Sequence, residues 1–394
     1  MKKLIIILLF IFGVCGCWNY KELDDYSIIT GIAIDKKDDD YEVSILISNA
    51  SKSSGDNPDS SQSKSVVYSG KGNSIFKALK DISLISPKEL YLDHFSILVI
   101  SEEIATEGIY NIVDFFLRYP NARKDFSIAI AKDCKAKDTL KIITPLTDFP
   151  SQSIADNLQF STKLQGAINN LNYNDLMYDL IAPGMEVSMN SIKIVGDEKE
   201  GSSKENVESS EPKSYLKLGN LGIFKDDKFI KFTSEEESFG INIIKNKITE
   251  MYIKIKMNDG YVVVSPVNFS TEVNIKLKDE KPIISIKSSG NAKVMEVNGH
   301  INLEDDSIIQ EIRKKCNKEI KSYINKALKV ATENKTDIFG FGLQLYKNYP
   351  DYYNKVKDSW DEDLNKLKIN VNSDLTIKSI SSTQNSAEVL DDKK

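Results

Sequence analysis

Three segments between residues 250 and 287 alternate apolar and polar side chains with a period of two. They read EMYIKIKM, YVVVSPV and TEVNIKLKDEKPIISIK, and an Asn-Asp-Gly turn at residues 258–260 joins the first two. An extended strand brings every second side chain to one face, and tight turns of this composition join antiparallel neighbours. The pattern predicts an antiparallel meander with one buried face, which another layer must cover.

A long helix directly after these strands can supply that layer. From about residue 304 to residue 331, apolar side chains recur at the spacing of one helical face. This face is predicted to pack on the sheet through Ile308, Ile312, Cys316, Ile320, Tyr323, Ala327 and Ala331. A Trp-bearing helix over residues 351–367 and a closing strand over 368–380 complete an α+β pattern for the C-terminal half.

The N-terminal half mixes the two kinds of element. Its strand patterns alternate with helical patterns, and helical signals dominate from residue 136 to residue 190. Such alternation is typical of a mixed α/β layer, so the whole chain is assigned to the α+β class. The strand patterns cover residues 26–35, 41–48, 92–101 and 125–133, and the first helical patterns cover residues 73–86 and 108–120.

The stretch VGDEKEGSSKENVESSEPKS marks the clearest boundary in the chain. It holds two apolar residues, Val195 and Val207, which favours either a linker between domains or a loop of a hairpin. The chain also exceeds the ~250–300 residues that one hydrophobic core usually serves, so two or three domains are expected. We divide it into a leader (residues 1–16), an N-terminal region (17–195), a polar linker or loop (196–214) and a C-terminal α+β domain (215–394). The N-terminal region could consist of two subdomains, over residues 17–135 and 136–195.

The first residues, MKKLIIILLFIFGVCGCW, have the pattern of an export signal. Lys2 and Lys3 precede nine uninterrupted apolar residues. A membrane-spanning helix needs about 20 apolar residues, so this segment is too short for a permanent span. It is therefore predicted to be a targeting segment that is removed.

The residues after the apolar run predict lipidation. Val14, Cys15, Gly16 and Cys17 are similar to the signal of bacterial lipoproteins, in which a cysteine thiol receives a diacylglyceryl group and the peptide is cut just before it. Gly16 supplies the small residue at the cut, so we expect cleavage after Gly16 and S-diacylglycerol and N-acyl groups on Cys17. Ordinary cleavage without lipidation is the alternative. Two acyl chains hold a protein at a bilayer more firmly than one.

The charge balance argues against nucleic acid as a partner. The formal net charge is −6, and it becomes −8 when a leader with two lysines and no acid is removed. Phosphate backbones require clustered positive charge, which an acidic chain of this kind lacks. We therefore expect a lipid anchor, rather than a basic patch, to hold the protein at a membrane.

Histidine and cysteine, which often serve in nucleophilic and metal sites, are scarce. The chain has two histidines, His94 and His300, and beyond Cys17 two cysteines, Cys134 and Cys316, without metal-ligand spacing. Phosphate-binding glycine loops and the motifs of serine hydrolases, zinc proteases and calcium loops are absent from the sequence. The sequence thus predicts no catalytic residue, no metal and no cofactor. The two cysteines could pair, although lone buried thiols are favoured.

An aromatic group near the C-terminus leaves two interpretations open. Spaced aromatic side chains can line a sugar or partner surface, and they can equally pack a helical corner onto a sheet, which is favoured here. The residues are Tyr346, Tyr349, Tyr352, Tyr353 and Trp360.

The chain resembles the Ger(x)C spore germination lipoproteins, the C subunits of nutrient germinant receptors. The resemblance begins at GCWNYKELDDYSIITGIAIDK and continues in DFFLRYPNARKDFSIAIAK and LIAPGMEVSMNSIKI. It is most specific in TDIFGFGLQLYKNYPDYYNKVKDSWDEDLNKLKINVNSDLTI, where the residues in the order of the family are Asp337, Phe339, Gly340, Gly342, Pro350 and Trp360. Two features depart from the family: Cys15 in the lipidation signal and the polar tail SISSTQNSAEVLDDKK.

The resemblance implies an elongated α+β protein of about three domains, anchored to the outer face of the spore inner membrane. It implies a membrane-bound A subunit and an integral B subunit as partners, in a receptor that senses nutrients. The chain itself would be a non-catalytic subunit that binds no small molecule alone.

Two other functions share some of these features. A solute-binding lipoprotein of a transporter has the same leader and size, but usually has two similar lobes around a cleft. An exported hydrolase would depend on His94 or His300 as a base.

Overall fold

The computed structural model describes residues 22, 25–48, 64–120, 122–147 and 149–380. Two sheets organise this part of the chain, one of nine strands and one of four. The predicted α+β class is confirmed, with a mixed first half and a meander and long helices in the second half.

The nine strands of the first sheet are β1 (Tyr26–Lys37), β2 (Asp40–Ser48), β3 (Ser65–Gly72), β4 (Glu89–Tyr91), β5 (Ile97–Ser101), β6 (Ser127–Ala131), β7 (Ser188–Val195), β8 (Tyr215–Lys225) and β9 (Lys228–Phe232). They pair in the order β3-β2-β1-β5-β6-β7-β8-β9, and β4 pairs with the start of β1. The central strands β1, β5, β6 and β7 are parallel, and the flanking strands are antiparallel. All five residues of β5 are buried, as expected for a parallel strand covered on both faces.

Helices cover both faces of this sheet. In chain order these helices are α1 (Ile75–Ile82), α2 (Glu102–Glu107), α3 (Tyr110–Arg118), α4 (Ala136–Thr139), α5 (Pro150–Leu164) and α6 (Tyr173–Ile181). One core contains residues of α1, α2, α3 and α6. The other core contains residues of α4 and α5. Strand β5 alternates between the two, because Leu98 belongs to the first core and Val99 to the second.

The polar segment 196–214 connects β7 with β8. These strands are antiparallel neighbours, and Val195 is paired with Tyr215. The segment contains two one-turn helices, α7 (Glu198–Gly201) and α8 (Glu205–Glu208), and the buried Asn206 donates from Nδ2 to the carbonyls of Ile143 and Ser214, both at 2.9 Å. The first sheet therefore runs past residue 195, where the sequence places the end of the N-terminal region, to Phe232.

The second sheet contains the predicted meander. Its strands are β10 (Ile253–Met257), β11 (Gly260–Lys278), β12 (Lys281–Gly299) and β13 (Lys368–Ile380), paired in that order. The first three are antiparallel, and the closing strand is parallel to β12.

Two helices cover the second sheet, α9 (Glu235–Ile244) and α10 (Asp306–Glu333). Most of the predicted stripe of α10 is buried in the core, and Ile308 and Tyr323 pack against it partly buried. The helices touch closely at Gly240, where a Cβ atom would lie 2.0 Å from the carbonyl oxygen of Tyr323. The long helix thus covers the sheet as its spacing predicts.

Two predicted elements are wrong in extent. The strand expected over residues 92–101 begins at Ile97, and residues 93–94 form a turn before it. The single helix expected over residues 351–367 is divided into α12 (Pro350–Val356), α13 (Trp360–Asp363) and a 3-10 turn (Leu364–Lys366), after α11 (Phe341–Asn348). A turn at residues 357–359 separates the pieces, and both Tyr353 and Trp360 are buried on its two sides.

A candidate functional site where the two sheets meet

The loop before β7 meets the loop before α11 at the junction of the two sheets. The amide of Glu186 donates to the carbonyl of Asp337 at 3.0 Å, and the amide of Leu343 donates to the carbonyl of Gly184 at 3.1 Å. Gly184 and Gly342 are in direct contact, since a Cβ atom on Gly184 would lie 2.6 Å from the Cα atom of Gly342. Gly184 also has φ of +65°, which favours glycine. The backbones can approach this closely because neither residue has a side chain.

A buried carboxylate organises the junction. Asp337 is 1% exposed, and its oxygens accept from the amides of Phe341 at 3.1 Å and Gly342 at 2.7 Å and from the indole Nε1 of Trp360 at 2.9 Å. Burial raises the pKa of the Asp337 carboxyl, and these three N–H donors oppose that shift because they stabilise the charged form. One side chain therefore fixes the start of α11 and the start of α13 together.

An ion cluster lies beside this carboxylate and joins three distant parts of the chain. Lys225 at the end of β8 contacts Glu186 at 2.9 Å and Asp361 of α13 at 2.5 Å. Burial raises the pKa of Glu186 to about 7, although its contact with Lys225 acts in the opposite direction. Burial would lower the pKa of Lys225, but hydrogen bonds to Asp361 and Glu186 raise it. The cluster keeps a cation at the junction and contains an acid that titrates near neutral pH.

Further contacts cross the junction from the helices. Lys245 at the end of α9 lies 3.4 Å from Asp179 of α6, and both side chains are largely buried. Asn242 donates from Nδ2 to the carbonyl of Gly166 at 2.9 Å. The second sheet with its helices is thus held to the first sheet by ionic, side-chain and backbone contacts in several places.

Two cavities adjoin the junction, and Trp360 lines both of them. The smaller one, of about 290 Å³, is lined by residues that include Tyr110, Ile181, Glu186 and Asp361. The larger one, of about 670 Å³, lies beside the turn between β11 and β12. Its lining combines apolar side chains with the lysines Lys278, Lys281, Lys366 and Lys368. Trp360 is therefore common to the linings of two cavities that both contain charged side chains.

The structure does not bring the two histidines into one site. His94 is exposed in the turn before β5, where it lines a polar cavity of about 360 Å³ with Arg123, Asp125 and Asp156 among others. His300 is exposed just after β12 of the other sheet. Among the described residues, no group of three or more His, Cys, Asp and Glu side chains is arranged to hold a metal ion.

Cys134 and Cys316 are free thiols. Cys134 is half-buried and Cys316 is buried in α10. Burial raises the pKa of the Cys134 thiol to about 11 and that of Cys316 to about 12, so both are protonated and unreactive near neutral pH. The predicted anchor residue Cys17 and the predicted cleavage position Gly16 lie outside the described residues. Where the structure describes the chain, every helix is too short or too polar to cross a membrane.

The aromatic group packs mainly as a helical corner against the core of the second sheet. Tyr353 and Trp360 are buried, and Tyr349 and Tyr352 pack partly buried against the core. Tyr346 is 44% exposed. From the sequence, Asp337 and Gly342 are marked only by the family resemblance, and Trp360 is marked by that resemblance and by the aromatic group. The role of Glu186 and Lys225 was not predicted. Glu186 lies in the quoted segment LIAPGMEVSMNSIKI, whereas no local pattern marks Lys225.

The described geometry defines a two-sheet α+β protein with a glycine-mediated junction, and comparisons with known proteins place it in a family. Residues 19–194 match the spore germination protein N-terminal domain, and residues 219–381 match the C-terminal domain described as spore germination B3/GerAC like. The chain belongs to the Ger(x)C family of spore germination proteins. The boundary between the two matches falls in the polar connection between β7 and β8.

Relatives and a solved structure extend over nearly the whole chain. Spore germination protein KC of Bacillus subtilis (strain 168) is 30% identical over 389 residues, which cover 95% of this chain and 94% of that protein. Spore germination protein B3 of the same organism is 23% identical and covers 92% of this chain and 93% of its own. The crystal structure of the GerBC protein aligns with a TM-score of 0.55 at 16% identity, over 91% of this chain and 99% of that one. This last similarity shows a shared fold.

Proposed function

We propose that this chain is a non-catalytic, lipid-anchored subunit of a spore nutrient germinant receptor. The observation that carries the proposal is that both domains of the family follow in order behind an N-terminal segment with the signal Val-Cys-Gly-Cys at residues 14–17. The partners are the A and B subunits of the receptor, and the location is the outer face of the spore inner membrane. The subunit contributes to assembly and function of the receptor, and it requires no cofactor.

The physical role of the anchor is to raise local concentration. A soluble body held close to a membrane-bound partner has an effective concentration in the millimolar range, so that modest contacts are enough for assembly. Two acyl chains on Cys17 provide a stable hold, because each buried methylene group contributes about 0.8 kcal/mol. The junction described above keeps the two sheets in one arrangement while the anchor keeps them at the membrane.

The anchor is tested by Cys17→Ala in spores of the species that encodes the chain. We expect the variant to leave the membrane fraction, and the germination response to nutrients to fall by at least about tenfold because the effective concentration is lost. Cys15→Ala is the matched control, since it alters the neighbouring thiol and should leave both readouts unchanged. Retention of Cys17→Ala in the membrane together with a normal response would refute the anchor.

Two measurements separate this function from the other candidates. We expect calorimetry with amino acids, sugars and nucleosides to detect no tight binding to this chain alone, whereas tight binding would favour a solute-binding protein of a transporter. We expect His94→Ala and His300→Ala to leave germination intact. Lost germination with normal protein levels would instead favour a hydrolase that uses histidine as a base.

A further inference from the structure

The loop over residues 83–88 carries two neighbouring apolar side chains in water. Leu84 is 82% exposed and Ile85 is 54% exposed. The backbone of the loop is ordered by hydrogen bonds from the amides of Ile85 and Ser86 to the carbonyl of Ile82. The apolar pair is therefore held outward at the end of α1 by a turn. Leu84 and Ile85 thus form a small apolar patch on the surface of the first sheet's helix layer.

The loop lies at the same end of the first sheet as the start of the described chain. Its Ser86 hydroxyl is 3.1 Å from the Ser27 hydroxyl at the start of β1. Directly after the loop, β4 pairs in parallel with β1, with Tyr26 opposite Glu89. The exposed pair is thus next to the residues through which the chain enters the sheet.

Chain length limits how far this end can be from the proposed anchor. Eight residues lie between Cys17 and Tyr26. The nine steps from Cys17 to Tyr26 span at most about 32 Å when fully extended. Strand β1 has 12 residues, so its other end, Lys37, lies roughly 36 Å from Tyr26 along the strand direction. The end of the first sheet that carries Leu84 and Ile85 is therefore the end that the tether keeps close to lipid.

We propose that Leu84 and Ile85 insert into the membrane interface next to the Cys17 anchor and so orient the first sheet relative to the bilayer. This inference rests on the proposed lipid anchor. The occupant of the surface is the acyl and headgroup boundary of a bilayer, into which short apolar side chains can enter from a surface loop. The contact depends on the apolar pair rather than on charge, because the exposed Lys88 is followed directly by the exposed Glu89.

Quenching by brominated lipid tests the contact with the full lipidated chain. The variants Leu84→Trp and Leu146→Trp are each reconstituted into vesicles of equal amounts of phosphatidylcholine and phosphatidylglycerol, with or without brominated acyl chains. Leu146 is the matched control, since it is 89% exposed. Leu146 and Tyr215 line the same cavity, and Tyr215 pairs with Val195 at the carboxyl end of β7. Because β7 runs parallel to β1, this end of the sheet is opposite to the end with Tyr26. Leu146 therefore lies at the end of the first sheet that is remote from the loop.

The readout is the fluorescence that each variant adds to that of the native Trp18 and Trp360. We expect brominated lipid to reduce the added fluorescence of Leu84→Trp at least about twofold and to leave that of Leu146→Trp unchanged, because only an inserted side chain meets the acyl chains. Ile85→Trp repeats the test one residue further along and should behave like Leu84→Trp.

Flotation of the same vesicles separates this inference from the anchor on which it rests. Protein that floats with the vesicles while Leu84→Trp and Ile85→Trp are quenched no more than Leu146→Trp overturns the loop contact and leaves the anchor intact. This is also the result expected if the pair docks on another subunit. Protein that stays in the soluble fraction overturns both. If Cys17→Ala floats as well as the native chain, the anchor fails, and the quenching still decides the loop contact.

Discussion

Asp337 is the residue on which the junction depends most, because one carboxylate accepts three buried N–H groups. Asp337→Ala leaves these donors without an acceptor, and each unsatisfied buried group costs about 1–3 kcal/mol, so we expect the free energy of unfolding to fall by at least about 3 kcal/mol. Urea titration followed by circular dichroism measures this loss.

Two further variants interpret the Asp337→Ala result. Trp360→Phe removes one of the three donors and keeps an aromatic ring, so it should cost less than Asp337→Ala. Asp114→Ala breaks an exposed pair with Arg118 in one helix and should leave stability unchanged within error, as exposed pairs contribute little. Equal stability of Asp337→Ala and the native chain would show that the junction does not need the carboxylate.

Glu186 makes the stability of the junction depend on pH. Burial raises its pKa to about 7 from the ordinary 4.5, so between these values the folded chain binds a proton that the unfolded chain has released. Stability must then fall as pH rises through this window, by up to about 3 kcal/mol. Lys225, Asp361 and Asp226 are the charged groups that act on Glu186, and the contact with Lys225 limits the loss.

The pH prediction is measured by comparing urea unfolding of the native chain and Glu186→Gln at pH 5 and pH 8. We expect the stability of the native chain to decline relative to that of Glu186→Gln as pH rises, because the amide cannot ionise. Glu250→Gln, at an exposed position, controls for the loss of a carboxylate elsewhere. The native chain and Glu186→Gln could instead differ in free energy of unfolding by the same amount at both pH values. That result would exclude a raised pKa for Glu186.

At the scale of elements, the contact of α9 with α10 depends on a missing side chain. Alanine normally stabilises a helix by about 1 kcal/mol relative to glycine. In Gly240→Ala, however, the new Cβ would lie 2.0 Å from the carbonyl oxygen of Tyr323 and 2.7 Å from the Cβ of Ala327. Since a backbone atom cannot rotate away, the helices must separate, and we expect a net loss of about 2 kcal/mol or more in urea unfolding.

The control for Gly240→Ala is Gly219→Ala in β8. There the new Cβ meets chiefly the hydroxyl of Ser191, which can rotate, so the loss should be smaller than for Gly240→Ala. An increase in the free energy of unfolding of Gly240→Ala would contradict the close contact of α9 with α10, because the higher helix propensity of alanine would then outweigh any steric cost.

Elements with a sustained period could be predicted from the sequence, and elements set by long-range contacts could not. The meander and α10 follow from the periods of two and of three to four residues, which their burial confirms. Residues 351–367 have helical composition throughout, but Trp360 must point its indole at Asp337, 23 residues earlier, and the helix is divided. The turn at residues 93–94 is likewise placed by the sheet, since Ser96 already donates to the carbonyl of Thr30.

At the scale of the whole molecule, the α+β class could be predicted, whereas the junction could not. Its ion cluster joins Glu186, Lys225 and Asp361. Lys225 and Asp361 are 136 positions apart in the sequence. No local pattern carries such a pairing, because each residue alone resembles an ordinary surface charge. The first sheet also continues through β8 and β9 beyond the polar segment, since strand pairing joins residues across a connection whose composition favours a boundary.

The anchor and the junction constrain different properties of the molecule. In the proposed receptor subunit, the eight residues between Cys17 and Tyr26 limit the distance of the first sheet from the bilayer but not its tilt, because chain length sets only a maximum separation. A second contact at the same end of the sheet, such as the loop of Leu84 and Ile85, would restrict that tilt. The glycine contact and the buried carboxylate of the junction then fix the orientation of the second sheet relative to the first. Since no described strand of the second sheet is paired with the first, the position of the second sheet relative to the membrane depends on the junction rather than on the anchor alone.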